Sequence, residues 1–159
     1  MKVRLQMMVQ DPRFAPVAGA RRQIEGYDVP DVEFVDGPAT DRVRVLDLDA
    51  ATGQVAPPVR YVAPSGRRKM GKFDLPSPAR IDIRSRTFNQ VSVMAGVLKT
   101  IDLYEDPDVL GRRVQWALPE PQLTVIPRYL LAENAQYVRT GKRLEFFFFP
   151  SHKSPNETV

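Results

Sequence analysis

The 159 residues suit one domain of ordinary size, and a hydrophobic share of 43% with 26% charged residues supports a true core. The chain has no Cys and one His, His152 in the polar tail. That excludes disulfides, thiolate chemistry, Cys-His pairs within the chain and any multi-His metal set. The formal charge of +4 is modest and mixed in sign along most of the sequence. Only GRRKMGK (Gly66 to Lys72) is densely basic, without the interleaved aromatics of a nucleic-acid binder, so nucleic acid is not an expected partner. No segment approaches the roughly 18 apolar residues of a membrane span. MKVRLQMMVQDPRF lacks the apolar core of a secretory leader, so the expected setting is the cytoplasm, with no membrane. Fifteen prolines against nine glycines favour short strands and stiff connections over a helical bundle.

Met1 to Gln10 alternates, with Val3, Leu5, Met7 and Val9 on one side, which predicts a half-buried strand that Asp11-Pro12 ends. Residues 11–40 carry scattered Pro, Gly and Asp and suggest irregular connections around one short strand. VRVLDLD, ATGQ and VAPPVRYVA read as strand, turn and return, with Gly53 at the reversal. Asp47 and Asp49 flank Leu48; two carboxylates are too few for a Ca²⁺ cage, and the simplest reading is two solvated charges before a turn. Residues 63–79 read as a Pro-, Gly- and basic-rich loop, and Ile81 and Ile83 as a brief strand.

TFNQVSVMAGVLKTIDLYED predicts one long helix, about 87–106. Its buried stripe runs through Val91, Met94, Val97, Leu98, Ile101 and Tyr104, capped by Thr87 or Asn89 and ended near Pro107 and Gly111. Glu105 and Asp106 at its end oppose the helix dipole and call for a partner such as Arg112 or Arg113. Short strands follow at Arg113 to Ala117 and Leu123 to Ile126. After a bend at Tyr129 to Glu133, Asn134 to Val138 is extended. LEFFFFP then places four consecutive Phe, Phe146 to Phe149, in a strand that needs cover on both faces. SHKSPNETV shows no periodicity, so residues 151–159 read as a flexible tail.

The fold class expected is α+β: a mixed, mainly antiparallel twisted sheet with the long helix packed on one face. One domain spans 1–150, with 1–85 as a β-rich lead-in. No residue set does catalysis or holds a metal unaided. What remains is the extended Asn134-Ala135-Gln136-Tyr137, where a small residue beside an Asn amide lets another backbone approach. An ordinary sheet edge would read the same way.

The order TFNQVSVMAGVLKTIDLYED, LGRRVQWA, LTVIPRYLLAENAQYV, GKRLEFFFFP (Arg86 to Pro150) resembles the N-terminal catalytic subdomain of thermolysin-like (gluzincin) zinc metallopeptidases. It is closer still to uncharacterised bacterial proteins of that type. In the family a helix packs behind a twisted sheet whose edge carries an Asn-Ala-aromatic-aromatic motif that binds the substrate backbone. The resemblance implies that Asn134 and Ala135 contact substrate and that Tyr137 holds the second aromatic position. Gln136 replaces the first aromatic, and Arg128 stands where relatives often have His. The family's H-E-x-x-H helix, with its zinc ligands and catalytic Glu, does not occur in this sequence. The resemblance therefore implies an N-terminal lobe inactive alone, with peptide or protein as partner, no cofactor of its own, and zinc only with a complementary half. The alternative is a non-catalytic structural or protein-interaction module on the same scaffold, its apolar surface covered by a second chain or by self-association.

Overall fold

Val3 and Leu5 are fully buried while Lys2 and Arg4 face solvent, and that alternation is what makes the first strand. The computed structural model describes residues 2–8, 24–30, 32–67, 69–117, 121–148, 150–151 and 154–158. In chain order they form β1 (Lys2–Met8), β2 (Ile24–Pro30), β3 (Val43–Val45), β4 (Leu48–Asp49), β5 (Gln54–Val55), β6 (Tyr61–Val62) and β7 (Met70–Phe73). A 3-10 turn (Pro78–Arg80) leads to α1 (Arg86–Glu105). Then come β8 (Leu123–Ile126), β9 (Ala135–Val138), β10 (Arg143–Phe146), β11 (Pro150–Ser151) and β12 (Ser154–Thr158). The Asp11-Pro12 break, Phe149 and His152 lie outside the described residues.

The fold is α+β, with two four-stranded sheets where the sequence suggested one, and both are mixed. One runs β2-β1-β7-β6, with β1 antiparallel to β2 and parallel to β7. The other runs β3-β8-β10-β9; β3, β8 and β10 are parallel, and only β9 runs against them. The mainly antiparallel expectation is thus met in part. β8 is buried at all four residues, Leu123, Thr124, Val125 and Ile126, because it has neighbours on both edges and cover on both faces. β10 is likewise internal but ends at Phe146, so of the expected Phe strand only that residue is in it, and Phe146, Phe147 and Phe148 are each only partly buried.

α1 sits against β1 of one sheet and β3 of the other, and one core cluster joins all three through Val3, Leu5, Val43, Val45, Val91, Met94 and Leu98. The cap is Ser85, whose Oγ accepts the Phe88 N–H at 3.3 Å, rather than Thr87 or Asn89. The buried stripe also differs from the expected one. Phe88, Gln90, Val91, Met94, Ala95, Leu98 and Ile101 are buried, whereas Val97 is only partly covered and Tyr104 is 54% exposed. The helix therefore carries a second, uncovered apolar stripe beside the buried one.

Five local readings change. The stretch 63–79 contains β7, which pairs with both β1 and β6; Gly71 and Lys72 disguise it as loop. Ile81 and Ile83 form no strand, and neither does Arg113 to Ala117, which is held instead by Trp116 Nε1–H donating to the Arg42 carbonyl at 3.1 Å. Asp47 is buried, not solvated: its carboxylate lies 2.6 Å from the Arg86 guanidinium and accepts the Gln90 amide. Asp49 fits its turn, accepting the backbone N–H groups of Ala51 and Thr52 ahead of Gly53 at φ +69°. Beyond Phe148, β11 and β12 pair antiparallel within the stretch whose sequence shows no periodicity.

Glu105 does find a partner, but it is Arg42 at 2.8 Å, with the Val114 N–H donating to the same oxygen. Arg113 pairs with Asp41 instead, at 3.0 Å. Desolvation pushes the Glu105 carboxyl upward. The Arg42 hydrogen bond, the Val114 N–H and the charges of Arg42 and Arg113 outweigh it and hold Glu105 below its ordinary value. Among the described residues no helix is long and apolar enough to cross a membrane.

Candidate functional site

β9 ends its sheet, and among the described residues no strand pairs with its outer side. Its inner side is in register with β10, Ala135 opposite Phe146, Gln136 opposite Glu145, Tyr137 opposite Leu144 and Val138 opposite Arg143. The Phe147 N–H donates to the Asn134 carbonyl at 3.0 Å. In an antiparallel ladder such bonded positions alternate with unbonded ones. Asn134, Gln136 and Val138 therefore turn their backbone groups toward β10, and Ala135 and Tyr137 turn theirs outward. All of Asn134 to Tyr137 is exposed. The sheet edge thus offers two N–H and two C=O groups at alternate residues, which is what an added strand needs.

The edge is tied to β10 by side chains on the opposite face of the sheet. Glu145, 1% exposed, accepts the Gln136 side-chain amide at 2.7 Å and the Arg143 guanidinium at 2.5 Å. The Glu145 hydrogen bond raises Arg143 above its usual value, against the opposing effect of its own burial. Gln136, placed by the resemblance where an aromatic is usual, thus ties β9 to β10 instead of packing. Sequence reasoning missed this link. Its one signal was a carboxylate alternating with apolar residues in Leu144-Glu145-Phe146. Arg128 adopts φ +58° and lies over the Phe148 ring at 4.7 Å, so its charge is turned to packing the chain that enters the edge.

The helix-side face of the same strands is apolar and open. Tyr137 and Leu144 line a pocket of about 460 Å³ with Trp116, Ala117 and Leu123, and Arg139 and Lys142 stand at its walls. Trp116, Leu123 and Leu144 also line an adjoining groove of about 680 Å³. Its other wall is the uncovered stripe of α1, Val93, Gly96, Val97, Thr100 and Tyr104, and Phe146 lies in it too. Nothing in the sequence pointed to this groove, because its apolar spacing puts Val97 and Tyr104 in the buried stripe. The structure brings Asn134, Ala135 and Tyr137 together at one edge and places that edge beside the groove.

Among the described residues no group of three or more His, Cys, Asp or Glu could hold a metal ion, so these residues do not make a zinc site. No protein-family model matches the chain, and no curated protein or solved structure matches it either.

Proposed function

We propose that this chain is the peptide-gripping N-terminal lobe of a thermolysin-like metallopeptidase. Its β9 edge takes an extended peptide as an added strand, and the zinc-carrying half comes from residues outside this sequence. One observation carries the reading: Ala135 and Tyr137 turn their backbone groups away from the sheet at an exposed edge, at the residues that the family likeness singles out. The fixed donors and acceptors align a peptide without choosing its sequence, and the neighbouring groove reads its side chains. On this reading the lobe binds and orients without cleaving, and among the described residues no His, Cys, Asp or Glu cluster could hold a metal to activate water. A cytoplasmic setting belongs to the same reading.

The test uses one peptide in three forms, unmodified and N-methylated at alternate residues in either of the two registers, titrated against the chain by calorimetry. N-methylation in one register should abolish binding, because it removes the N–H groups facing β9, while methylation in the other register should leave it. Equal binding by all forms would remove strand addition from the account.

A second reading has its own observation. The groove is lined by the exposed side chains of Tyr104 and Leu110, and Leu103 and Val109, next to them in sequence, are exposed too, the kind of apolar surface that a partner covers in an interaction module. Light scattering separates the two: concentration-dependent association lost on Tyr104→Lys favours the module, and a monomer at high concentration counts against self-association.

A further inference from the structure

Resting on the strand-addition reading, we infer that the preferred peptide carries a large apolar side chain and an acidic side chain four positions apart, both on the face turned toward α1. Side chains alternate across a sheet, so Ala135, Tyr137 and Arg139 share one face. It is the helix-side face, because Tyr137 lines the 460 Å³ pocket with Leu144 and Arg139 lines it too. A strand added to β9 places its own alternate residues beside these three. Each meets different chemistry.

Beside Ala135 only a methyl group separates the added strand from Phe146, which is partly buried and lines the large groove. A leucine or phenylalanine lying over Ala135 covers that ring, and a large residue at 135 would block it. Beside Tyr137 the ring fills the space, so the middle position is undemanding. Beside Arg139 the pocket wall is cationic, with Lys142 on the same wall across the turn closed by the Lys142 N–H and the Arg139 carbonyl. An aspartate or glutamate on the added strand meets that charge directly. The charge at the pocket wall and the small residue at the strand start select for a peptide, rather than for a second copy of an apolar face.

The experiment titrates blocked serine–threonine peptides bearing a leucine and a glutamate four positions apart, in both orders, against the whole chain. Affinity is read by calorimetry and location by fluorescence of Trp116, the one Trp of the chain and a pocket residue. One order should bind at least about tenfold tighter than the peptide lacking leucine, as expected for burying that side chain. Exchanging glutamate for lysine should lose about two- to fivefold, the range of a cross-strand charge pair. Arg139→Glu should reverse the last preference, so that the lysine peptide binds better, which also shows that the variant is folded. Ala135→Phe should erase the leucine preference while leaving weak binding. If every peptide binds equally and N-methylation still abolishes binding, this inference falls and the strand-addition reading stands. If no peptide binds, both fall.

Discussion

Tyr137 and Leu144 stand opposite one another across β9 and β10, and both side chains line the same pocket. Leu144 belongs to the packed surface around the core, whereas Tyr137 is 48% exposed. Tyr137 is thus the last side chain of the sheet before solvent and can serve binding without supporting the fold. Tyr137→Ala should change unfolding stability by less than about 1 kcal/mol. It should weaken binding of the leucine–glutamate peptide several-fold. Urea unfolding and a parallel titration check this; a large stability loss with unchanged affinity would make Tyr137 a packing residue only.

Asp47 is the joint between the two halves of the chain. Its carboxylate accepts from Arg86 Nε and Nη2 and from Gln90, while Gln90 also receives the Val59 N–H at 2.9 Å and donates to the Pro57 carbonyl at 3.1 Å. Removing one member leaves buried polar groups without partners. Asp47→Ala should therefore cost about 1–3 kcal/mol in urea unfolding, the range for leaving a buried polar group unpaired, because the Arg86 side chain is 46% exposed and can turn to water. Arg86→Ala should lower stability through the same site, and the double variant should lose less than the sum of the two single losses.

The Arg42–Glu105 pair predicts a specific pH dependence. Glu105 is held below its ordinary value of 4.5, so its contribution is fully present above that value. It is lost as pH falls through the lower folded-state value. The stability difference between the native chain and Glu105→Gln should thus be constant at neutral pH and shrink below about pH 4.5. A difference that stays level through the acid range would show that the pairing adds nothing.

Gly96 lies mid-helix, and a Cβ there would meet nothing within 4 Å. The groove is open above it. Gly96→Ala should stabilise the chain by about 0.5–1 kcal/mol in thermal or urea unfolding, because alanine is the better helix former and displaces no neighbour. A destabilised variant would mean that the groove over Gly96 is filled in solution.

Long, strongly periodic pieces were legible from the residues alone. β1 followed from the alternation of Val3 and Leu5, α1 from its 3.6-residue stripe, β8 from the short apolar run Leu123 to Ile126, and the position of β10 from the extended segment LEFFFFP, although the strand stops at its first Phe. The missed elements share a cause: their local residues are poor signals and tertiary partners decide. β7 is a strand because β1 and β6 flank it, although MGKF carries no alternation that sets it apart from its basic surroundings. Asp47 looks like any charge before a turn until Arg86, 39 positions later, comes to meet it. At the candidate site, the extended run Asn134 to Tyr137 and its small Ala135 are local properties, whereas it is the family likeness that singles out Asn134, Ala135 and Tyr137 as contact residues. The Gln136–Glu145 tie, the pocket around Trp116 and the charge at Arg139 depend on which strands become neighbours, which no short stretch encodes.

The outward-facing backbone of β9 is the claim on which the functional account rests, and amide hydrogen exchange measures it residue by residue. In the free chain the amides of Gln136 and Val138, turned to β10, should exchange slowly, and those of Ala135 and Tyr137 fast. Saturation with the leucine–glutamate peptide should slow Ala135 and Tyr137 and leave the other two unchanged. Ala135 and Tyr137 amides already protected in the free chain, or unprotected at saturation, would contradict strand addition at this edge.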